Sequence, residues 1–270
     1  MELGIFETVF ARSTLAETFD AVAAAGFTMI QWDFATAGIG SMPAAIPPSL
    51  PDGIRRATDE RGITIAAIGG TYNMIHPDPD TRAAGLASLR AIAASAATLG
   101  TDIITLSTGT RNAENMWRRH PDNDTPEAWA DLIEALSEAL AIADEHDVVL
   151  AFEPEPANVA RNAQKARELL DQMTHSRLRI CFDAANIAAS DLSRDPGVVI
   201  DEAFALLSEE IVIAHGKDIT REGRFCPAGT GVVPWPHVVR GFTEVGYTGP
   251  LILHSLGEGD IPTARAAMEA

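Results

Sequence analysis

The sequence predicts an α/β protein folded as one (β/α)8 barrel over residues 1–270. Short apolar runs alternate with amphipathic stretches, which is typical of strands and helices in a parallel sheet. Eight such units, of about 30 residues each, account for the chain length. No glycine-rich nucleotide fingerprint follows the first apolar run, and this favours a closed barrel over an open dinucleotide-binding sheet.

The predicted strands are short apolar runs that end abruptly. The run from Val148 to Phe152 is too short for a helix, and it stops at Glu153 because Pro154 and Pro156 cannot continue ladder pairing. The eight predicted strands cover residues 3–10, 27–34, 63–68, 102–107, 148–153, 179–183, 211–215 and 250–254.

Capping residues set the predicted helix boundaries. Thr14 and Glu17 form a capping box, and the helix that follows ends before Gly26. Gly100 closes a helix that begins near residue 80, and Thr125 caps the next one. A short helix is expected to end at residue 61, and further helices are expected near residues 160–173, 196–207, 235–245 and 261–270.

Composition narrows the class of protein. The chain is 46% hydrophobic, without low-complexity tracts, and its formal net charge is −18, so most of its surface repels nucleic acid and anionic membranes. It contains neither an apolar stretch of membrane-spanning length nor a basic-then-apolar leader, and a cytoplasmic protein is expected. Of its two cysteines, Cys181 falls inside a predicted strand and is expected to be a small buried residue.

Four potential metal ligands stand at the ends of successive predicted strands. Glu153, Asp183, His215 and His254 are separated by 30, 32 and 39 residues, close to the length of one strand–helix unit. In a barrel of such units the carboxyl ends of the strands face one mouth. A carboxylate at the end of a buried strand also needs compensation of its charge, which a cation would supply.

Other candidate residues have two interpretations each. Asn73 and His76 follow the third strand and either bind a substrate or belong to an ordinary loop, with the histidine held by a carbonyl. Lys217 lies two residues beyond His215 on an extended path, so it either shares the cavity face or is an exposed lysine. Trp117 either forms a wall of the pocket or packs its own loop.

The predicted loop over residues 108–124 is seventeen residues long, and loops of that length in compact domains are usually functional or disordered. We expect it to cover the barrel mouth, with Trp117 or His120 at the pocket. Arg111, Arg118 and Arg119 are either a solvated basic segment or the local site for an anionic group of a substrate.

Three strand-end motifs carry a resemblance to a known family. Glu153 with Pro154, the F-D-x-x-N pattern at residues 182–186 and the H-x-K-D pattern at residues 215–218 resemble the xylose isomerase-like TIM barrel superfamily, over the whole chain. The sugar phosphate isomerase/epimerase branch is the most similar, with inosose dehydratases and tagatose epimerases as relatives.

The resemblance implies a divalent metal bound by Glu153, Asp183 and His215. His254 stands where that family normally has a glutamate that serves as fourth ligand and second base. Two imidazoles with two carboxylates suit zinc, manganese, iron or cobalt. Asn186 stands where many members have a histidine. The candidate substrate-binding residues are Asn73, His76, Arg111, Trp117, Glu155 and Asn186.

The function implied is a metal-dependent isomerase or epimerase of a small sugar, polyol or related hydroxy-carbonyl compound. Glu153, or the nearby Glu155 or Lys217, would move the proton. With His254 on the metal, one base favours isomerisation or dehydration over epimerisation, unless Glu258 supplies the missing carboxylate. An inosose-dehydratase-like lyase and a non-catalytic metal- or sugar-binding barrel are the alternatives.

An endonuclease of the same superfamily is disfavoured by the net charge of −18. The expected partner is therefore a small sugar-like molecule, with no nucleic acid and no membrane. A homo-oligomer is compatible with the sequence.

Overall fold

The protein, described by a computed structural model over residues 1–269, is a closed barrel of eight parallel strands surrounded by helices. The barrel strands are β1 Glu2–Phe6, β2 Met29–Trp32, β3 Thr64–Gly69, β4 Ile103–Ser107, β5 Val149–Glu153, β6 Leu178–Asp183, β7 Ile211–Gly216 and β10 Pro250–Leu253. A separate antiparallel hairpin joins β8 Asp218–Ile219 and β9 Phe225–Cys226.

The helices lie outside the barrel and cover its strands. They are α1 Leu15–Ala24, α2 Ser49–Asp59, α3 Pro79–Leu99, α4 Pro126–His146, α5 Ala163–Met173, α6 Ala184–Ala189, α7 Pro196–Leu207, α8 Trp235–Glu244 and α9 Ile261–Glu269. No helix within residues 1–269 has the length and apolar character needed to cross a membrane.

Local capping residues explain where several helices begin and end. The Thr14 side chain accepts a hydrogen bond from Glu17 N, and the Thr125 side chain accepts one from Ala128 N. Gly100 adopts a left-handed conformation with φ of 81° and ends α3, a position that favours glycine. The predicted boundaries at these residues are confirmed.

The core has two parts, one between the strands and the helices and one inside the barrel. The barrel interior is filled by a small cluster of Ala67, Ala151, Cys181, Ile213 and Ile252. These five buried side chains come from β3, β5, β6, β7 and β10, so the interior of the barrel is a packed core and not an open pore.

The structure differs from the sequence prediction in three connections. The first strand ends at Phe6, short of residue 10, because the chain turns into a 3-10 helix at Glu7, whose carboxylate accepts a hydrogen bond from Asp33 N. The predicted loop after His215 contains the β8–β9 hairpin, and α6 is an additional short helix capped by Asp183.

Candidate active site

Strand register brings the four predicted ligand residues to one end of the barrel. Glu153 and Asp183 are the last residues of β5 and β6, and Asp183 pairs with His215 of β7. His254 follows β10 directly, and its backbone N–H donates to Gly216 O at 3.2 Å. The expected carboxyl-end arrangement is therefore present in the structure.

The side chains at this end meet in pairs. Glu153 Oε2 lies 3.2 Å from His215 Nδ1, and Asp183 Oδ2 lies 3.2 Å from His254 Nε2. The two imidazole rings are 4.7 Å apart between centroids, and Phe6 packs 6.2 Å from each of them. We call Glu153, Asp183, His215, Lys217 and His254 the polar floor.

Lys217 is the cation of the polar floor. Its Nζ lies 3.1 Å from Asp183 Oδ2 and 3.5 Å from Glu153 Oε1, and the residue is only 5% exposed. Burial opposes its charge, but the neighbouring Asp183, Glu153 and Glu155 outweigh burial and raise the pKa of the ammonium group above its ordinary value. Lys217 therefore remains charged and bridges the two carboxylates.

The surroundings shift the pKa values of the carboxyl groups in the site in opposite directions. Burial alone would raise the pKa of Glu153 and Asp183, but the positive charge of Lys217 lowers both below their usual range. Glu155 lies farther along the same chain segment, where burial and the Glu153 carboxylate raise its pKa to about 8. Glu153 and Asp183 are therefore anionic at neutral pH, whereas Glu155 holds a proton.

Gln31 of β2, which the sequence did not single out, fixes the orientation of His215. Gln31 Nε2 donates to Thr105 Oγ1 at 2.8 Å, and Gln31 Oε1 lies 2.8 Å from His215 Nε2. With its Nε2 proton directed at Gln31, His215 presents the Nδ1 lone pair to the polar floor. The only sequence signal was one amide in the otherwise apolar run of β2.

The donor set fits a divalent metal ion. One atom each from Asp183, His215 and His254 lie within 4.8 Å of one another, and Glu153 forms a second such group with His215 and Cys181. With the imidazoles neutral, the state in which they bind metals, two carboxylates face one ammonium group. The remaining buried negative charge would be compensated by a cation.

The polar floor lies at the bottom of a cavity of about 780 Å³. Glu153, His215, Lys217 and His254 line it, as do Glu155 and Trp117 from the predicted substrate set. Asp183 is fully buried beneath Lys217 and His254.

Asn186 is also fully buried, and its amide donates to Glu153 Oε1. It lies beside the cavity and orients the Glu153 carboxylate.

Three residues of the predicted substrate set lie away from the cavity lining. Asn73 Oδ1 accepts from Thr110 N at 2.8 Å, and His76 Nε2 lies 3.1 Å from Ala113 O. Arg111 donates to Asp131 Oδ2 of α4 at 2.7 Å.

These contacts hold the loop of residues 108–124 in place. From this loop Trp117 and Arg119 line the cavity, whereas His120 caps a 3-10 helix by accepting from Asp122 N. The predicted position of the loop at the barrel mouth agrees with the structure. Two arginines of the loop differ in position: Arg119 lines the cavity, whereas Arg111 points toward α4.

Glu258, considered as a replacement base, is paired elsewhere. Both of its carboxylate oxygens accept from Arg12, at 2.6 and 2.8 Å. Glu258 does not line the cavity above the polar floor. The carboxyl groups that line this cavity belong to Asp33, Glu153 and Glu155.

The family model described as xylose isomerase-like TIM barrel matches residues 19–270. No curated protein matches the chain.

Three solved structures illustrate the similarity. The 3-keto-D-glucoside 4-epimerase from E. coli is 15% identical over 100% of this chain and 98% of its own, with a TM-score of 0.77. The probable 3-DHS dehydratase of petrobactin synthesis from Bacillus anthracis is 14% identical over 100% and 98%, with a TM-score of 0.76. The IOLI protein with a binding zinc atom is 14% identical over 100% and 94%, with a TM-score of 0.72.

Proposed function

Because the chain belongs to the xylose isomerase-like TIM barrel family, we propose that it is a divalent-metal-dependent isomerase of a small sugar, polyol or related hydroxy-carbonyl compound. The observation that carries the proposal is the polar floor, where Lys217 Nζ lies between Glu153 and Asp183 opposite two imidazoles. Proton transfer next to a carbonyl needs a base for the proton and a positive group for the developing oxyanion. The polar floor offers Glu153 and Lys217 for these two roles at the bottom of a cavity.

In this proposal Asp183, His215 and His254, with Glu153, would hold the metal. A divalent ion there would supply Lewis-acid polarisation of substrate oxygens. The zinc atom of the IOLI protein, a neighbour in fold, supports a metal of this kind.

Glu153 is the proposed base. It lines the cavity as an anion, and its Oε1 accepts a hydrogen bond from Asn186, which leaves the carboxylate oriented toward the cavity side. It would take the proton from the hydroxyl-bearing carbon next to the carbonyl and return it to the carbonyl carbon on the same face, while the hydroxyl proton moves to the former carbonyl oxygen. Lys217 would donate a hydrogen bond to the substrate oxygen that gains negative charge.

Dehydration is the second candidate. Glu155 also lines the cavity, and it is 8% exposed, so a second carboxyl group is available beside the base to assist the departure of a hydroxyl group. The similarity in fold to a probable dehydratase supports this alternative. Inversion of one carbon by two opposed bases is disfavoured, since His254 stands where the family resemblance places the glutamate that serves as second base.

The test measures uptake of deuterium by the substrate and loss of water from it in the same sample. Metal-loaded protein is incubated in D2O with aldoses, ketoses and inososes, and NMR follows exchange at the carbon next to the carbonyl and loss of the hydroxyl group. Isomerisation is seen as interconversion of aldose and ketose without loss of water, with or without deuterium at the carbon next to the carbonyl, whereas dehydration requires loss of water.

Glu153→Gln should abolish either reaction, whereas the exposed control Glu168→Gln should retain it. Protein that binds neither metal nor substrate would refute the proposal, and tight sugar binding without isomerisation, exchange or loss of water would assign a binding function.

A further inference from the structure

The cavity has large apolar side chains exposed at its mouth, in contrast to the polar floor. Trp117, Leu192 and Phe225 line the cavity and are 57%, 36% and 46% exposed. They are three of the six exposed large hydrophobic residues found within residues 1–269. We call these three residues the apolar rim. Exposed apolar side chains that are scattered singly over a surface need no explanation, but a group of them around one opening indicates a binding surface.

Three different loops build the apolar rim. Trp117 belongs to the loop after β4, Leu192 to the segment after α6, and Phe225 to the β8–β9 hairpin. Leu192 reaches the tip of that hairpin, since a Cβ atom at Gly223 would lie 3.6 Å from Leu192 Cδ1. The rim thus joins separate segments of the chain at one opening.

Phe225 connects the apolar rim to the polar floor. Lys217 Nζ lies 4.3 Å from the centre of the Phe225 ring, in cation–π contact. Lys217 is buried while Phe225 is half exposed, so the ring covers the ammonium group and still offers apolar surface to the cavity. A ligand that touches Lys217 at its polar end therefore meets Phe225 next.

We propose that the substrate carries a flat apolar substituent, such as an aryl group, beside its hydroxylated part. This inference rests on the proposed function, since the polar floor takes the sugar-like part and the apolar rim takes the substituent. The cavity of about 780 Å³ lies in the upper part of the range of roughly 300–1,000 Å³ that buries drug-sized ligands, so a single sugar ring leaves much of it empty.

The experiment compares matched glycosides. Binding of phenyl and methyl β-D-glucopyranoside, β-D-galactopyranoside and β-D-xylopyranoside, and of cellobiose, is measured by calorimetry on metal-loaded protein. We expect a phenyl glycoside to bind roughly tenfold to a hundredfold more tightly than its methyl partner, the gain expected from burying one aromatic ring.

Variants assign that gain to the apolar rim. Trp117→Ala and Phe225→Ala should reduce phenyl glycoside affinity toward that of the methyl glycoside, with unchanged metal content and thermal stability. Val198→Ala removes an equally exposed apolar side chain of α7, outside the cavity, and should leave every affinity unchanged.

Three results would overturn the inference. They are equal binding of phenyl and methyl glycosides, binding of cellobiose as tight as that of the phenyl glucoside, and no binding of any phenyl glycoside. Self-association that disappears in Trp117→Ala or Phe225→Ala would also overturn it, because a second copy would then cover the rim. Metal content and deuterium exchange are measured separately, so the proposed isomerase function can stand when this inference fails.

Discussion

Gln31 Oε1 lies 2.8 Å from His215 Nε2, on the side of the imidazole away from Glu153. Gln31 is itself fixed, because its Nε2 donates to Thr105 Oγ1. This relay selects the His215 tautomer whose Nδ1 faces the candidate metal site. Residues that orient metal-binding histidines in this way commonly change metal affinity when they are replaced.

Replacing Gln31 by Ala should therefore weaken metal binding by about 10- to 100-fold. Calorimetric titration of metal-free protein with Mn²⁺ or Zn²⁺ measures the change. Gln164→Ala, on the surface of α5, is the matched control. Equal affinities for the Gln31 variant and the original protein would show that Gln31 has no part in orienting His215.

Lys217→Met should strengthen metal binding while abolishing proton exchange. The ammonium group lies within 3.5 Å of two of the candidate ligands and opposes any nearby cation, by roughly 4 kcal/mol per unit charge at 4 Å for an effective dielectric constant of 20. An increase in affinity of at least about tenfold is expected by titration.

Lys165→Met is its control, because Lys165 lies on the exterior of the barrel beside Trp129. Lower metal affinity in Lys217→Met, relative to that control, would mean that Lys217 supports the metal site.

Glu258→Gln should leave both metal content and deuterium exchange unchanged. Glu258 is held by Arg12 through two hydrogen bonds, away from the cavity lining. Only a small loss of stability is expected in urea unfolding, because ion pairs at exposed positions contribute little. Loss of epimerase activity at constant metal content would reveal that Glu258 moves into the site as a second base.

Glu7 should make the protein less stable as the pH rises from about 5 to 8. Burial raises the pKa of its carboxyl group to about 8 in the folded chain, whereas the unfolded group titrates near its ordinary value of 4.5. Between these values the folded state binds a proton that the unfolded state lacks. The free energy of unfolding then falls by up to about 1.4 kcal/mol per pH unit.

Glu7→Gln retains an oxygen for Asp33 N and Thr36 Oγ1 and removes the titration. The difference in unfolding free energy between the original protein and this variant, measured by urea denaturation at several pH values, should fall through this window. Glu114→Gln, in an exposed loop, is the control variant. A pH-independent difference for Glu7→Gln would contradict the prediction.

Part of the architecture could be predicted from local sequence. Pro154 and Pro156 fix the end of β5, and the repeated spacing of strand ends places Asp183 and His215 on the same mouth. The barrel and the superfamily assignment are confirmed. The roles of the individual site residues stay predictions, now with the geometry needed to test them.

Long-range partners could not be predicted in the same way. Gln31 and His215 are 184 residues apart, and a glutamine inside a strand has no local pattern that names its partner. Arg111 is a candidate from sequence because it belongs to a basic loop in an acidic chain, but its direction depends on Asp131 of α4. Sequence gives the strand end to which a residue belongs, whereas side-chain direction depends on contacts between distant segments.

Asp183 caps the start of α6 and also contributes a charge to the polar floor, and these two roles limit which residues can replace it. Its Oδ1 accepts from Ala185 N and Asn186 N at the start of α6, while Oδ2 faces Lys217 and His254. Asparagine would keep the acceptor for the helix and lose the charge. Glutamate would keep the charge on a longer side chain that no longer matches the helix amides. The loops around the barrel mouth can therefore change in sequence, whereas both the polar floor and the turn into α6 require an aspartate at position 183.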